Sequence, residues 1–319
     1  MVFLVAEMGA SHCQSMTIAK ELIVKASNAG FDAVKFQTFI PEQMCNPGYK
    51  IPSGPWRGRD LLDLYRVTAL PRDWHKPLYE YAYEKGIIPF SSVFHPDDVD
   101  FLEMEVQPEY YKIASQEIGY QALIDRVMRT DKPVFISTGG AGEEDLKRVY
   151  ENTKGVTLLH CVSEYPTVSS DMNMNKMSEL YMYAANIGLS DHSMTSAAAI
   201  MAVALGASVI EKHICLDGMG EDSRFAISGE ALRSFVTDVR MASDAMGSFK
   251  FEGPREFKRS LYWSRSVSKG EVITENMIDI KRPDQGADPA RLRSVIGQCV
   301  LRDSEGPLSL SDITSSKVS

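Results

Sequence analysis

Apolar residues in this chain fall into short runs separated by longer amphipathic stretches, and the alternation continues to about residue 247. The strand-like runs are Val2–Met8, Ala33–Thr38, Ile87–Val93, Tyr110–Ser115, Pro133–Thr138, Val156–Val162, Ile187–Ser190 and Ser208–Ile214. Most are continuous rather than alternating, the pattern of strands covered on both faces in a parallel sheet. Helix-like stretches lie between them, among them Thr17–Ala29, Trp74–Lys85, Glu143–Asn152 and Thr195–Leu205. Gly30, Gly86 and Gly206 stand where a left-handed helix stop is expected. Eight strands with crossover helices over roughly 250 residues predict an α/β chain folded as a (β/α)8 TIM barrel. The alternative is an open doubly wound sheet. No GxGxxG follows the first strand, which favours the barrel.

Two stretches break the pattern. Residues 39–70 show no clear period and carry NPGYKIPSGPW, a long segment expected to act as a functional loop or lid. After Gly247 the texture becomes polar and turn-rich. We assign 1–247 to the barrel, 248–260 to a linker and 261–319 to a small β module. Within that module KGEVITENMI (269–278) and EGPLSLSDI (305–313) resemble one another, so it is expected to be pseudo-symmetric. A unit that small has little core of its own and is expected to pack on a barrel, its own or a partner's.

Composition narrows the function. Thirty-four Lys and Arg against 43 Asp and Glu give a net charge of −9 with no basic run, which disfavours nucleic acid. No apolar run approaches the length of a membrane span, and the N-terminal run lacks the basic region of a secretory signal. Five cysteines, an odd number without a CxxC pair, argue for a reducing compartment, so a cytoplasmic location is expected.

Barrel chemistry sits at the C-terminal ends of the strands. Those ends carry Glu7, Lys35, Gln37, Ser92, Lys112, Ser115, Glu117, Ser137, Ser163, Tyr165, Ser190, His192, Glu211 and His213. Charged residues inside apolar strands need partners or a ligand. Lys35 and Lys112, with Ser, Thr and Gly strand ends, suit an anion. A Schiff-base lysine and a buried Lys–Glu pair are the alternatives. His192 and His213 end consecutive strands, and with Glu7 and Asp222 near they suit a divalent metal with open positions. Hydrogen-bonded structural histidines are the alternative. Of the others, His12 is the one expected to approach substrate. Cys161 and Cys215 read as small buried residues.

The segments AEMGASH (6–12), DAVKFQTF (32–39), YKIASQE (111–117), ISTGG (136–140), LLHCVSEYPT (158–167), IGLSDHS (187–193) and EKHICLD (211–217) resemble, in this order, the sialic acid synthase family. The C-terminal strings SVSKGEVITENMIDIKRPDQG and IGQCVLRDSEGPLSLSDI resemble that family's antifreeze-like (SAF, β-clip) domain. The resemblance implies a phosphoenolpyruvate (PEP)-dependent transferase making nonulosonic acids from an open-chain N-acylamino hexose. It also implies a domain-swapped homodimer. It assigns Lys35, Ser92, Lys112, Ser115, Ser137, Ser163 and Ser190 to PEP. Glu7, Glu117, Tyr165 and Asp222 fall around the sugar and the reacting carbons. His192 and His213 fall to the metal, Mn²⁺ foremost, with Mg²⁺ or Co²⁺ as substitutes. Arg282, supplied by the partner subunit, and Phe257 fall to the acyl group.

Three departures lie where the acceptor would sit. The family's GPDH is GEDSR here (Gly220–Arg224), Ser163 replaces an asparagine, and the 39–70 segment is hard to align, with no obvious counterpart to the family's asparagine there. Arg224 is expected to read an additional anionic or carbonyl group. The competing readings are a synthase acting on a phosphorylated sugar, a lysine Schiff-base aldolase, and a non-catalytic sugar- or ice-binding protein.

Overall fold

The computed structural model describes residues 1–247 and 257–314. The first compact unit is Met1–Gly247. Its eight strands, β1 (Phe3–Glu7), β2 (Ala33–Thr38), β3 (Ile88–Val93), β4 (Tyr111–Ile113), β5 (Val134–Ser137), β6 (Thr157–Cys161), β7 (Asn186–Asp191) and β8 (Val209–His213), close into an all-parallel barrel in sequence order. Each apolar run read as a strand is one. The closed circuit, in which β1 pairs with both β2 and β8, excludes the open sheet. Eight helices surround it: α1 (Met16–Ala29), α2 (His75–Glu84), α3 (Pro96–Glu105), α4 (Gln121–Met128), α5 (Glu143–Asn152), α6 (Lys176–Leu180), α7 (Ala197–Ala204) and α8 (Glu230–Met246). In α1 the Ser15 side chain accepts from the Ile18 N–H at the start, and Gly30 ends it at φ 96°.

The strand period of two sorts side chains inward and outward. Outward residues pack with the helices into one large core that includes Leu4, Val34, Phe36, Ile113, Ile136 and Leu158. Inward residues divide by height. The N-terminal half of the interior is a plug of Val5, Ala33, Phe90, Phe135, Leu159 and Val209, with Phe3, Ile88 and Tyr110 against it. The Tyr110 and Phe135 rings stack at 5.5 Å. This plug closes one end of the barrel, so a ligand enters only from the C-terminal side.

Outside the barrel, Lys212 points away from its neighbours Glu211 and His213. It is fully buried, with Nζ donating to Asp191 at 2.8 Å and to the Ser193 carbonyl, and it lies 5.3 Å from the Phe235 ring. Removing one partner of such a pair costs about 3–5 kcal/mol, because the other charge is stranded. The pair thereby fixes the turn that carries His192.

The 39–70 segment is more regular than its sequence suggests. It holds short helices at Pro41–Met44 and Leu61–Thr68, the second capped by the Asp60 carboxylate. Eight residues are too few to show a helical period above the aromatic and proline background.

The second unit is described from Phe257 to Thr314; most of the expected linker (248–256) and the last residues, 315–319, lie outside the described residues. In it β9 (Ser260–Trp263) pairs antiparallel with β10 (Ile278–Lys281). The two similar strings adopt similar structure. Each has a glycine at positive φ, Gly270 and Gly306, then a 3-10 turn, Glu275–Met277 and Leu310–Asp312, that leads into an isoleucine. Leu261, Trp263, Val267, Ile273, Val300 and Leu308 form a small separate core. Among the described residues no helix is long and apolar enough to cross a membrane, and all five cysteines are free.

Candidate active site

Above the apolar plug every barrel strand turns a polar or sulfur-bearing side chain inward. Glu7, Lys35, Gln37, Ser92, Lys112, Ser137, Cys161, Ser190, Glu211 and His213 line one cavity of about 600 Å³. The loops that follow the strands add Ser115, Glu117, Tyr165, His192 and Asp222 to the same walls.

The two lysines differ. Lys35 Nζ lies 2.6 Å from Glu7, 2.8 Å from Ser92 Oγ and 3.7 Å from Glu211. Burial opposes its charge, but Glu211 and Glu7 outweigh burial and hold its pKa above the ordinary value. Lys112 Nζ donates to the Ile113 carbonyl at 3.1 Å and has no ion pair among the described residues. Burial, reinforced by Lys35, lowers its pKa. Glu211 also accepts from Ser190 Oγ at 2.8 Å. Burial works against its charge, yet Lys35 and Lys112 prevail and pull its pKa to about 2, so it stays ionised. Glu7 accepts from Gln37 Nε2 at 2.7 Å, and burial raises its pKa against the pull of Lys35. Lys112 is therefore the cation that a bound anion can claim without displacing a carboxylate.

The strand-five turn supplies backbone donors. A Cβ on Gly139 would meet Ser163 Oγ at 2.5 Å and Ser115 Oγ at 3.0 Å, so only glycine lets the Gly139 N–H reach Ser115 Oγ, at 3.1 Å. Gly9 plays a like role. At φ 48° its missing Cβ leaves room for the Asp222 carboxylate, which accepts from the Ala10 N–H at 2.9 Å.

His192 and His213 have ring centroids 5.4 Å apart. His192 Nδ1 donates to the Val162 carbonyl at 2.8 Å, and His213 Nδ1 faces Asp222 Oδ2 at 3.2 Å. Those bonds leave Nε2 of each ring as the nitrogen with a lone pair, the usual arrangement of a ligating histidine oriented from behind. The pair thus fits a divalent ion that takes its remaining ligands from water or substrate. The carboxylates expected to stand by are committed elsewhere, Glu7 to Lys35 and Gln37, Asp222 to Ala10 and His213. Among the described residues no cluster of three or more His, Cys, Asp or Glu side chains is placed to hold a metal.

Tyr165 stacks beside His192 at 4.2 Å and packs on Phe225 at 4.8 Å; burial, with Cys161 and three carboxylates nearby, raises its pKa well above the ordinary value and keeps it a phenol. Glu117 lines the cavity, and burial raises its pKa. Trp56, from the 39–70 segment, reaches Phe225 edge-on at 5.8 Å and roofs the cavity.

Not every expected residue lines this cavity. Ser163 is exposed at its margin, its hydroxyl 4.0 Å from Cys161 Sγ. Arg224 lines a second pocket, of about 580 Å³, which shares Ala10 and Trp56 with the first. Phe257 and Arg282 belong to the second unit. Phe257 is 71% exposed, and its carbonyl accepts from Arg282 Nε at 2.6 Å. His12 is buried away from the cavity, its Nε2 on the Thr68 carbonyl at 3.1 Å and its Nδ1 accepting from the Gln14 N–H, so it shapes the loop and does not line the site. Cys161 is no inert core residue. Its Sγ lies 3.9 Å from His192 Nδ1, and although burial opposes ionisation, the imidazole lowers its pKa. Glu211 and Gln37 were legible at the strand ends without being assigned to the site. In β8 the period of two already puts Glu211 on the His213 face and Lys212 on the other.

Comparison with known proteins places the chain in a family. A model of the NeuB family matches residues 22–251. The chain is 36% identical over 322 residues to a pseudaminic acid synthase of Campylobacter jejuni strain 81-176, covering 95% of this chain and 94% of that protein. It is 31% identical over 323 residues to an N,N'-diacetyllegionaminic acid synthase of Campylobacter jejuni strain NCTC 11168, covering 94% and 96%. Among solved structures, the N-acetylneuraminic acid (sialic acid) synthetase of Leptospira borgpetersenii, crystallised with citrate, superposes with a TM-score of 0.72 at 27% identity, covering 79% of this chain and 87% of that one.

Proposed function

The chain belongs to the NeuB, or sialic acid synthase, family, and from that membership we propose that it condenses PEP with an open-chain N-acylamino hexose and releases phosphate. The observation that carries this reading is the convergence of Lys35, Lys112, His192 and His213 in one cavity closed from below by an apolar plug.

Lys35 and Lys112, with Ser92, Ser115, Ser137 and Ser190 around them and Ser163 at the margin, hold the phosphate and carboxylate of PEP. A divalent cation held by Nε2 of His192 and His213, Mn²⁺ foremost, would supply Lewis acidity at the sugar's aldehyde oxygen. The PEP methylene carbon attacks the aldehyde carbon, and a carbon–carbon bond forms as the aldehyde oxygen becomes an alkoxide. Glu117, whose pKa burial raises, lines the cavity as the acid that delivers a proton to the alkoxide. Glu7 faces the cationic carbon two left in PEP and stabilises it. Water adds there as Glu7 takes its proton. The carbon–oxygen bond to phosphate then breaks as the new hydroxyl passes its proton to the departing phosphate, and the keto acid and phosphate leave. Tyr165 and Asp222 border the sugar, Tyr165 as a hydroxyl donor and Asp222 behind His213. Confining two reactants in one walled cavity contributes several kcal/mol through orientation alone.

The test is the mass of the product after incubation with PEP, Mn²⁺ and a panel of 2-acylamino and 2,4-diacylamino hexoses. A product equal to sugar plus PEP plus water minus phosphoric acid is expected. Phosphate release without the sugar, or no release with any sugar, sinks the reading.

The homodimer with exchanged second units is part of the same proposal, with Arg282 lent in trans to the acyl group. Arg282→Ala is expected to raise the sugar KM at least tenfold and the PEP KM far less. Mixing Arg282→Ala with a Lys112→Met chain is expected to restore part of the activity, because one composite site then carries both native residues. Absence of rescue in subunit-exchanged mixtures argues for Arg282 acting in cis or not at all.

A further inference from the structure

We propose that the second pocket is an acceptor subsite for the acyl carbonyl on the sugar carbon remote from the aldehyde, with Arg224 as its specificity-determining donor. The proposal rests on the condensation reading and adds the substituent that the site selects.

Three observations carry it. First, the pocket and the catalytic cavity share Ala10 and Trp56 as walls. The Trp56 indole that walls the catalytic cavity thus also walls this space, so the two adjoin along one side chain.

Second, the charges of the pocket are unequal. Arg59 and Glu221 neutralise each other at 2.6 Å. Arg224 has no ion pair among the described residues, and Nη1 alone is engaged, on the Pro55 carbonyl at 3.2 Å. Nε and Nη2 remain as donors, and the Ser223 hydroxyl lies in the same wall. One unpaired guanidinium edge beside a hydroxyl fits a neutral oxygen acceptor such as an amide carbonyl. A phosphate would bring two charges against the Glu221 carboxylate with a single free cation to offset them, which disfavours a phosphorylated acceptor.

Third, the pocket is held in shape before any ligand arrives. The Arg59–Glu221 pair and the Arg224–Pro55 bond both tie the 39–70 segment to the loop after β8. Side chains already fixed lose little freedom on binding. The string GEDSR, which departs from the family pattern, supplies Glu221, Ser223 and Arg224 to this one pocket. A relative named for a diacetylated product is consistent with a site that reads two acyl groups.

The experiment compares wild type and Arg224→Ala on 2-acetamido-hexose, 2,4-diacetamido-hexose and 2-acetamido-hexose 6-phosphate, each with PEP and Mn²⁺, with melting temperature as the fold control. Wild type is expected to prefer the diacetamido sugar. Arg224→Ala is expected to lose roughly 10–100-fold more kcat/KM on it than on the monoacetamido sugar, the range for a charge-assisted hydrogen bond, with the KM for PEP within about twofold. Equal losses on the two neutral sugars, or the largest loss on the phosphorylated one, overturn the subsite while leaving the condensation intact. Wild-type turnover of none of the three overturns the condensation and the subsite with it.

Discussion

Lys112→Met is expected to lower kcat/KM for PEP by about 10²–10⁴-fold while leaving the melting temperature unchanged or raised. The two effects have one cause. Lys112 is buried and lacks an ion pair among the described residues, and its pKa is lowered by that burial. In the free protein burial outweighs its attraction to Glu211, so it is a charge held at a net cost and an apolar side chain of similar length fits at least as well. With a PEP phosphate bound the same ammonium gains its missing partner. Truncating one member of a buried charge pair costs about 3–5 kcal/mol, which sets the size of the kinetic loss. Lys35→Met differs in kind. Lys35 already neutralises Glu7 and sits 3.7 Å from Glu211, so its loss strands carboxylates in the plugged barrel and is expected to lower stability as well as turnover. Steady-state kinetics with PEP varied, alongside thermal melts of both variants, separates the two. A Lys112→Met enzyme with unchanged PEP kinetics removes the anion role. Borohydride trapping of wild type with pyruvate, read by mass, is expected to give no adduct; an adduct on Lys112 turns the reading toward an aldolase.

Much of this site is legible in the sequence because a parallel barrel leaves the inward face so little freedom. In VKF, YKI and IEKHI a charge interrupts an apolar strand, and once the strand is placed in a barrel its parity says whether that charge faces helices or cavity. Lys35, Lys112 and His213 follow from that rule. Lys212 obeys it in the opposite sense, turning outward to a fully buried pair with Asp191. Loops obey no such period. Asp222 reaches the site because Gly9, far away in sequence, lacks a Cβ. Arg59 meets Glu221 across 162 residues, and neither residue carries a local sign of the other. Ser163 sits beyond the end of β6, where alternation has ceased, and ends outside the cavity wall. The loops read least well, and they carry the Arg59–Glu221 and Arg224–Pro55 contacts of the second pocket.

His213→Ala is expected to weaken Mn²⁺ binding by at least 10²-fold and to remove nearly all turnover. Both imidazoles have Nδ1 occupied, by the Val162 carbonyl and by Asp222, which orients Nε2 for a ligand and makes it more basic. An ion held by these two imidazoles alone would have no reserve, so losing one would remove half of what the chain offers. Asp222→Asn keeps the imidazole but softens its support. It is expected to weaken Mn²⁺ by about 10–100-fold, the range for such supporting contacts. Calorimetric or electron-spin titration of chelated, dialysed protein reads metal binding without substrate, and a melt controls for folding, since His213 also packs against Phe225 at 5.0 Å. The order expected is wild type, then Asp222→Asn, then His213→Ala, in affinity and in turnover alike. Chelated wild type is expected to fall silent and to recover on added Mn²⁺. Full turnover in metal-free protein would instead make the two histidines hydrogen-bond donors to the substrate. Their affinities for Mn²⁺ would then no longer track the rates.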